Sequence, residues 1–223
     1  MTDDHDEMPG SEACFAHLLV DGHVVDPQTW KDVSLFRKAE RRRLYAARQG
    51  VSPAERKDMA AAISSRLTEM LGDISGRTIA LYWPIRGEIN LRAWMVEAAS
   101  RGARICLPVV VEKHQPVEFH RWTPDCAMAK GFWNIPVPAN GEPLVPEVVI
   151  VPLLGVDEQG YRLGNGGGYY DRTLAQLPGD LLSIGVGQSF ARMKTIFPMP
   201  WDIPMKRVVL SDGAVTSYGD NRS

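Results

Sequence analysis

A run of four β-branched residues, Val148–Val151 (VVIV), constrains the fold of this chain more than any other feature. Such an apolar run is typical of a strand that is buried on both faces, as the central strands of parallel sheets are. Strand-like runs also occur at Thr78–Trp83, Arg104–Val109 and Leu182–Val186, and helical patterns alternate with several of them. This alternation indicates βαβ units and predicts an α/β fold: a single three-layer α/β/α domain with a mostly parallel central sheet. Ligands of such a domain gather at the carboxyl ends of the strands.

Four helices accompany these strands in the pattern. The first covers Arg37–Gln49, and the second begins at the capping-box sequence Ser52–Glu55, which has proline at its first helical position. The apolar stripe of the second helix consists of Met59, Ile63, Leu67 and Met70. A third helix is expected from an Asn90 cap to Ser100, and a fourth at Tyr169–Leu177.

A reversal of charge marks a boundary near the N-terminus. Residues 1–36 contain eight Asp or Glu against one Lys, whereas residues 37–57 contain eight Lys or Arg against two Glu. We therefore divide the chain into an acidic N-terminal extension (1–36), an α/β domain (37–215) and a C-terminal tail (216–223). Residues 1–10 are expected to be disordered, and the apolar stretch that follows, residues 14–25, is expected to form a short extended segment.

Bulk composition excludes several classes of function. The formal net charge of −2 gives no global reason to expect nucleic acid or an anionic membrane as a partner. No stretch approaches the ~18 uninterrupted apolar residues of a membrane span, and the chain begins with acidic residues where a secretory signal would be basic. We therefore expect a cytoplasmic protein. Its three cysteines are far apart and have no clustered histidines, which argues against a disulfide framework or a zinc site.

A glycine-rich loop is the strongest local signal for chemistry. Four of the five residues 164–168 are glycine, Arg162 precedes them, and Asp171 follows in the first turn of a predicted helix. Glycines let successive backbone N–H groups point into one concavity, and a helix N-terminus adds partial positive charge, so this loop suits a phosphate group. A carboxylate at Asp171 could hold Mg²⁺ beside that phosphate. The plainer alternatives are a tight strand-to-helix turn and a carboxylate that only stabilises the helix dipole.

Four sequence strings together resemble one enzyme family. They are GYRLGNGGGYYDR (160–172), PIRGEIN (84–90), WNIP (133–136) and WDIPM (201–205). In their identity and order they resemble the 5-formyltetrahydrofolate cyclo-ligase (methenyltetrahydrofolate synthetase) family, from about Arg37 to Leu210. The resemblance implies ATP-dependent conversion of 5-formyltetrahydrofolate to 5,10-methenyltetrahydrofolate through a phosphorylated formyl intermediate, with ADP and phosphate released. It implies ATP and Mg²⁺ as cofactors, a reduced folate as substrate, and a monomer or small homo-oligomer.

The resemblance also assigns roles to residues of this sequence. Residues with an implied role in catalysis are Arg162, Tyr169 and Asp171. Those implied to bind the nucleotide are Arg37, Arg41, Arg162, Leu163, Gly164, Asn165, Gly166, Gly167, Gly168, Tyr169 and Tyr170. Those implied to bind the folate are Trp83, Glu88, Trp133, Asn165, Gly167 and Tyr169. The implied Mg²⁺ ligands are Asp171 and Asp202. Taken without the family, Glu88 is a loop carboxylate, the two tryptophans are more often core side chains, and the basic stretch on the first helix is a solvated face.

Several positions depart from the usual family pattern, and three of them concern residues with an implied role or their direct neighbours. Arg37 stands where Lys is usual, Asn165 where an aromatic or basic residue is usual, and Trp201 where His commonly precedes the aspartate. Because these changes cluster around the implied site, two alternatives to the cyclo-ligase stay open. One is a diverged, non-catalytic paralogue that binds folate or nucleotide. The other is an ATP-dependent enzyme that activates another amide or carboxyl group.

Overall fold

A seven-stranded sheet forms the centre of the protein, as seen in a computed structural model that describes residues 19–20 and 22–219. Its strand order is β13-β12-β11-β8-β3-β4-β5. The five inner strands are mutually parallel, and the two edge strands, β13 and β5, are antiparallel to their neighbours. The bounds of these strands are β3 Thr78–Ala80, β4 Arg104–Val109, β5 Glu118–Arg121, β8 Val148–Pro152, β11 Leu182–Gly187, β12 Arg207–Leu210 and β13 Val215–Ser217.

Helices cover both faces of this sheet, which confirms the predicted α/β fold. The bounds of the helices are α1 Pro27–Gln49, α2 Pro53–Leu71, α3 Arg92–Ser100 and α4 Tyr169–Gln176. Alternate residues of β8 serve opposite faces, because successive side chains of a strand point in opposite directions. Val148 and Ile150 pack with α2 and α3, whereas Val149 and Val151 pack with Leu174 of α4.

The N-terminal half of α1 was not predicted. The helix begins at Pro27, ten residues before the predicted start at Arg37, and so it runs through the expected boundary at residues 36 and 37. Its N-cap is Asp26, whose Oδ2 accepts a 2.6 Å hydrogen bond from the amide of Thr29. An Asp-Pro pair is a sequence signal for the start of a helix. The start was instead predicted at the change of charge, ten residues later. The capping box of α2, between Ser52 and Glu55, is present as predicted.

Three short hairpins complete the structure. They are β1 Leu19–Val20 with β2 His23–Val24, β6 Met128–Lys130 with β7 Pro136–Pro138, and β9 Gly155–Val156 with β10 Arg162–Leu163. The first falls in the stretch expected to be extended, whereas residues 1–18 lie outside the described part of the chain. The third lies between central strand β8 and the glycine loop, and its second strand includes Arg162. Edge strand β13 extends the sheet into the predicted C-terminal tail.

Two exclusions can be examined in the residues that the structure describes. Cys106 is buried and Cys126 half-buried, and neither forms a disulfide within this part of the chain; Cys14 lies outside it. None of the helices in residues 19–20 and 22–219 is both long and apolar enough to cross a bilayer.

Candidate active site

The glycine loop, Gly164–Gly168, connects β10 to the N-terminus of α4. Gly166 and Gly168 have φ angles of 97° and 67°, values that favour glycine, and Gly168 is the N-cap of α4. Within residues 19–20 and 22–219, no acceptor takes a hydrogen bond from the backbone N–H groups of this loop. Residues 165–167 are exposed, so these N–H groups are open to solvent and can donate to an anion at the helix N-terminus.

Arg41 of α1 places a positive charge beside these donors. Its Nε donates a 2.8 Å hydrogen bond to the carbonyl oxygen of Gly164. A Cβ atom added to Gly166 would lie 3.4 Å from the guanidinium carbon of Arg41, so the guanidinium lies against the loop. Burial, followed by the nearby charge of Arg37, lowers the pKa of Arg41. Arginine nevertheless stays protonated at physiological pH, so Arg41 can contact the same anion as the loop amides.

Arg162 and Asp171 form an ion pair across the loop. Arg162 Nη2 lies 2.9 Å from Asp171 Oδ1, and the two side chains are 3% and 19% exposed. The backbone of Ile203 joins them, because its N–H donates to Asp171 Oδ1 over 3.0 Å and its carbonyl accepts from Arg162 Nη1 over 2.8 Å. Burial raises the pKa of Asp171, and the charge of Arg162 opposes this effect. Among the described residues Arg162 Nη2 makes no hydrogen bond of good geometry, so charge attraction and the hydrogen bonds of Ile203 together hold a carboxylate that has little access to water.

Arg37 and Asp202 form a second buried pair. Arg37 donates through two guanidinium nitrogens to the Asp202 carboxylate and also to the carbonyl oxygens of Ile196 and Phe197, over 2.9 and 2.8 Å. Asp202 Oδ2 accepts a further 2.6 Å hydrogen bond from the amide of Met199. Both side chains are paired within the protein, and the charge of Arg37 is still near enough to Arg41 and Asp171 to affect their pKa values.

The carboxylates of Asp171 and Asp202 differ in how available their oxygens are to Mg²⁺. A magnesium ion bound with a nucleotide keeps several waters and takes one or two protein carboxylates besides the phosphates. Asp171 Oδ2 has no hydrogen-bond partner among the described residues, so this oxygen fits one such position. Asp202 is less available, because Arg37 donates to both of its oxygens and the amide of Met199 donates to Oδ2, although its charge is near enough to raise the pKa of Asp171. No group of three or more His, Cys, Asp or Glu side chains in residues 19–20 and 22–219 is arranged to hold a metal ion.

Glu88 lies near the glycine loop although 77 residues separate it from Asn165. Its Oε2 accepts a 3.0 Å hydrogen bond from the amide of Ile85, in a turn where Arg86 and Gly87 have φ angles of 47° and 74°. Burial raises the pKa of Glu88, and the Ile85 amide, the charge of Arg48 and the side chain of Asn165 oppose the rise. A buried carboxylate with incomplete compensation is suited to accept hydrogen bonds from a ligand.

Three buried polar groups lie near Glu88, and two of them, Arg48 and Gln188, were missed in the sequence. Arg48 Nε, Tyr170 Oη and Gln188 Oε1 are buried and have no hydrogen-bond partner among the described residues. Arg48 and Tyr170 are close enough to influence the pKa of Glu88 or be influenced by it, and Gln188 Nε2 donates 3.0 Å to the carbonyl of Gly87. Buried polar atoms are normally satisfied, so this group marks a place for a polar ligand. Arg48 lies at helical spacing from the basic residue Arg41 of α1, and Gln188 directly follows the carboxyl end of β11. These two positions were the sequence signals for the missed residues.

The two tryptophans have different environments. Trp133 is 60% exposed, has a φ angle of 55°, and its ring centroid lies 5.5 Å from that of Tyr169 in an edge-to-face arrangement. The alternative that Trp133 is a core side chain is therefore wrong. Trp83 is half-buried, packs against the main core cluster, and lies 5.1 Å beneath the guanidinium of Arg92. The core alternative describes Trp83 better than it describes Trp133.

A family model described as the 5-formyltetrahydrofolate cyclo-ligase family matches residues 34–211. The chain belongs to this family. A 5-formyltetrahydrofolate cyclo-ligase of Mycolicibacterium smegmatis is 31% identical over 178 residues, which cover 74% of this chain and 89% of that protein. The cyclo-ligase of Escherichia coli K12 is 25% identical over 169 residues, which cover 73% of this chain and 93% of that one. The solved structure of Aquifex aeolicus 5,10-methenyltetrahydrofolate synthetase aligns with a TM-score of 0.71 and 31% identity, covering 84% of this chain and 95% of that one.

Membership of the cyclo-ligase family confirms the resemblance seen in the four sequence strings. It also separates two parts of α1, because the family match begins at residue 34, after the first seven residues of the helix. Hairpin β1–β2 and the beginning of α1 therefore precede the part of the chain that the family model matches.

The raised pKa of Glu88 predicts a stability difference that depends on pH. A carboxyl whose pKa is higher in the folded than in the unfolded state favours folding when protonated, and this contribution is lost as the pH rises through the folded-state pKa. We expect Glu88→Gln, which keeps an acceptor for the Ile85 amide, to gain stability relative to the wild type as the pH rises from 4.5 toward neutrality. Urea unfolding of both proteins across this range measures the difference. A difference that is constant or shrinks with rising pH would contradict the burial of an ionised Glu88.

Proposed function

We propose that this protein converts 5-formyltetrahydrofolate to 5,10-methenyltetrahydrofolate and uses ATP to do so. Family membership supports the folate reaction. The observation that carries the use of ATP is the set of unpaired N–H groups of Gly164–Gly168, with Arg41 against the loop and Asp171 in the following helical turn. These are the donors and charges that the terminal phosphates of a nucleotide require.

The loop amides and Arg41 would bind the phosphates and neutralise the charge that develops during transfer. A formamide is a poor electrophile, so in the proposed reaction its oxygen attacks the γ-phosphorus and ADP leaves. N10 of the folate then attacks the formyl carbon, and the ring closes as phosphate leaves with the formyl oxygen. This chemistry depends on alignment and on fixed dipoles more than on a covalent nucleophile.

Asp171 is the proposed protein ligand for Mg²⁺. When bound, the ion would neutralise charge on the phosphates and help to orient them. Arg162 would hold Asp171 in place through their buried ion pair, and the amide of Ile203 would occupy the same carboxylate oxygen, leaving Oδ2 for the ion. We assign Asp202 and Arg37 to support of the surrounding loop, because their hydrogen bonds are made within the protein.

Glu88 is the proposed anchor of the pterin ring. A planar pair of N–H donors matches a carboxylate in bidentate geometry, and the raised pKa of Glu88 indicates a carboxylate that gains from such donors. Arg48 is close enough to affect the pKa of this carboxylate, and Gln188 donates to the carbonyl of neighbouring Gly87, so both would complete the polar surroundings of the ring. Exposed Trp133 and neighbouring Tyr169 present aromatic faces that could cover the folate from outside.

The direct test is an assay with purified protein, ATP, Mg²⁺ and 5-formyltetrahydrofolate, in which the absorbance of the methenyl product is followed. We expect turnover that requires both ATP and Mg²⁺. Tight folate binding without turnover would instead support a non-catalytic paralogue. Binding of ATP without affinity for folate would support an enzyme that activates another amide or carboxyl group. Turnover without ATP would contradict the proposed chemistry.

Comparison of Asp171→Asn with Asp202→Asn tests the assignment of the metal ligand. We expect Asp171→Asn to lower turnover by on the order of 100-fold and to raise the Mg²⁺ concentration needed for half-maximal activity. Each substitution leaves a buried arginine without its partner, so we expect both to lower the free energy of unfolding by about 3–5 kcal/mol, and Asp202→Asn to shift the Mg²⁺ requirement less.

Glu147→Gln is the control for removal of a carboxylate charge, because Glu147 accepts from the amide of Thr78 at the amino end of the central strands. Its Mg²⁺ requirement is expected to match that of the wild type. If Asp202→Asn shifted the Mg²⁺ requirement more than Asp171→Asn does, Asp202 would be the ligand and our assignment would be wrong.

A further inference from the structure

We propose that residues 19–36, which form hairpin β1–β2 and the first part of α1, position Asp171 by holding residues 195–206, termed the Asp202 loop. This inference rests on the proposed function, because it gives Asp171 its role there. Residues 19–33 precede the part matched by the family model.

Aromatic and aliphatic side chains make the first layer of contact. The ring of Trp201 lies between two rings of the N-terminal segment, 5.9 Å from His23 and 5.3 Å from Trp30 in an edge-to-face arrangement. Beneath them, Val25 and Val33 are buried against Met199 of the Asp202 loop. Edge-to-face aromatic pairs favour one relative orientation, so these contacts fix the loop more closely than burial alone would.

The end of this segment and Arg37 make the second layer. Phe36 meets Phe197 edge to face at 5.0 Å between ring centroids. Phe197 has a φ angle of 51°, which is unfavourable for a residue with a side chain and persists only where the surroundings impose it. Arg37 supplies that constraint, because it donates to the carbonyl oxygens of Ile196 and Phe197 and to the carboxylate of Asp202.

Ile203 connects the Asp202 loop to the proposed metal ligand. Two residues after Trp201, its amide donates to Asp171 and its carbonyl accepts from Arg162. Movement of the loop would therefore alter two of the contacts that fix the Asp171 carboxylate. Because catalysis by alignment is sensitive to displacements of about 1 Å, a contact made by Trp30 can influence turnover without touching substrate. Trp30 is thus a positioning residue.

Trp30→Ala in the full chain tests this inference, with Leu35→Ala as the matched control. Leu35 belongs to the same helix but is 57% exposed, so its truncation removes no contact with the Asp202 loop. We expect Trp30→Ala to speed hydrogen exchange at the amides of Met199 and Ile203, to lower kcat by about tenfold, and to leave the KM for 5-formyltetrahydrofolate unchanged. Leu35→Ala should match the wild type in all three. Trp30→Phe, which keeps an aromatic edge, should restore most of the kcat.

The exchange measurement needs no substrate, so it separates failure of this inference from failure of the proposed function. Unchanged exchange at Met199 and Ile203 in Trp30→Ala would overturn the inference, as would faster exchange with a normal kcat. If the wild type bound Mg²⁺ and ATP without making the methenyl product, kcat could not be measured. In that case an affinity for Mg²⁺ and ATP that is the same in Trp30→Ala as in the wild type would overturn the inference. Absence of that binding in the wild type would also overturn it. Should Trp30→Ala fail to fold, His23→Ala, which alters an exposed residue of the same contact, replaces it with a smaller expected increase in exchange.

Discussion

The ion pair between Arg162 and Asp171 is the interaction on which the rest of the candidate site depends. It joins the end of β10 to the first turn of α4 and therefore brings together the two ends of the glycine loop. Removing two charges from water is costly, and such a pair is weak evidence for stability on its own. What it provides is geometry. Arg162, Asp171 and Ile203 hold the two ends of the loop in place. The loop therefore does not need hydrogen bonds among its own amides, and these amides stay available for a ligand.

Burial has the same electrostatic consequence at both ends of the site. Asp171 and Glu88 each have a pKa raised mainly by desolvation, and in each case nearby arginine and amide groups offset only part of the effect. The ionised form of such a buried carboxylate is stabilised more by a cation or a pair of N–H donors than that of an exposed carboxylate. The two carboxylates are thus prepared for different partners: a metal ion beside phosphate at Asp171, and a planar ring at Glu88. Asn165 links the two regions, since its side chain is near Glu88 while its backbone belongs to the loop.

Sequence patterns predicted those parts of the fold that depend on local chemistry. The Val148–Val151 run does become the central strand, and the capping box at Ser52 does begin α2, because each signal is contained within a few residues. The four motif strings were sufficient to identify the family. Long-range pairing was not predictable in this way. Nothing near Arg37 indicates that its partner is Asp202, 165 residues away, and the hydrogen bond from Ile203 to Asp171 comes from a segment with no regular structure. The roles proposed for individual site residues stay predictions.

The central claim is that the amides of the glycine loop receive the terminal phosphates of a nucleotide. ¹H–¹⁵N NMR spectra recorded during titration with Mg²⁺ and ATP test it most directly, because each loop amide gives its own signal. We expect the largest shifts at Gly164–Gly168, together with slower hydrogen exchange at the same positions. If ATP bound while these five amides kept their free-state shifts and exchange rates, the phosphates would lie elsewhere and the glycine loop would not be the nucleotide site.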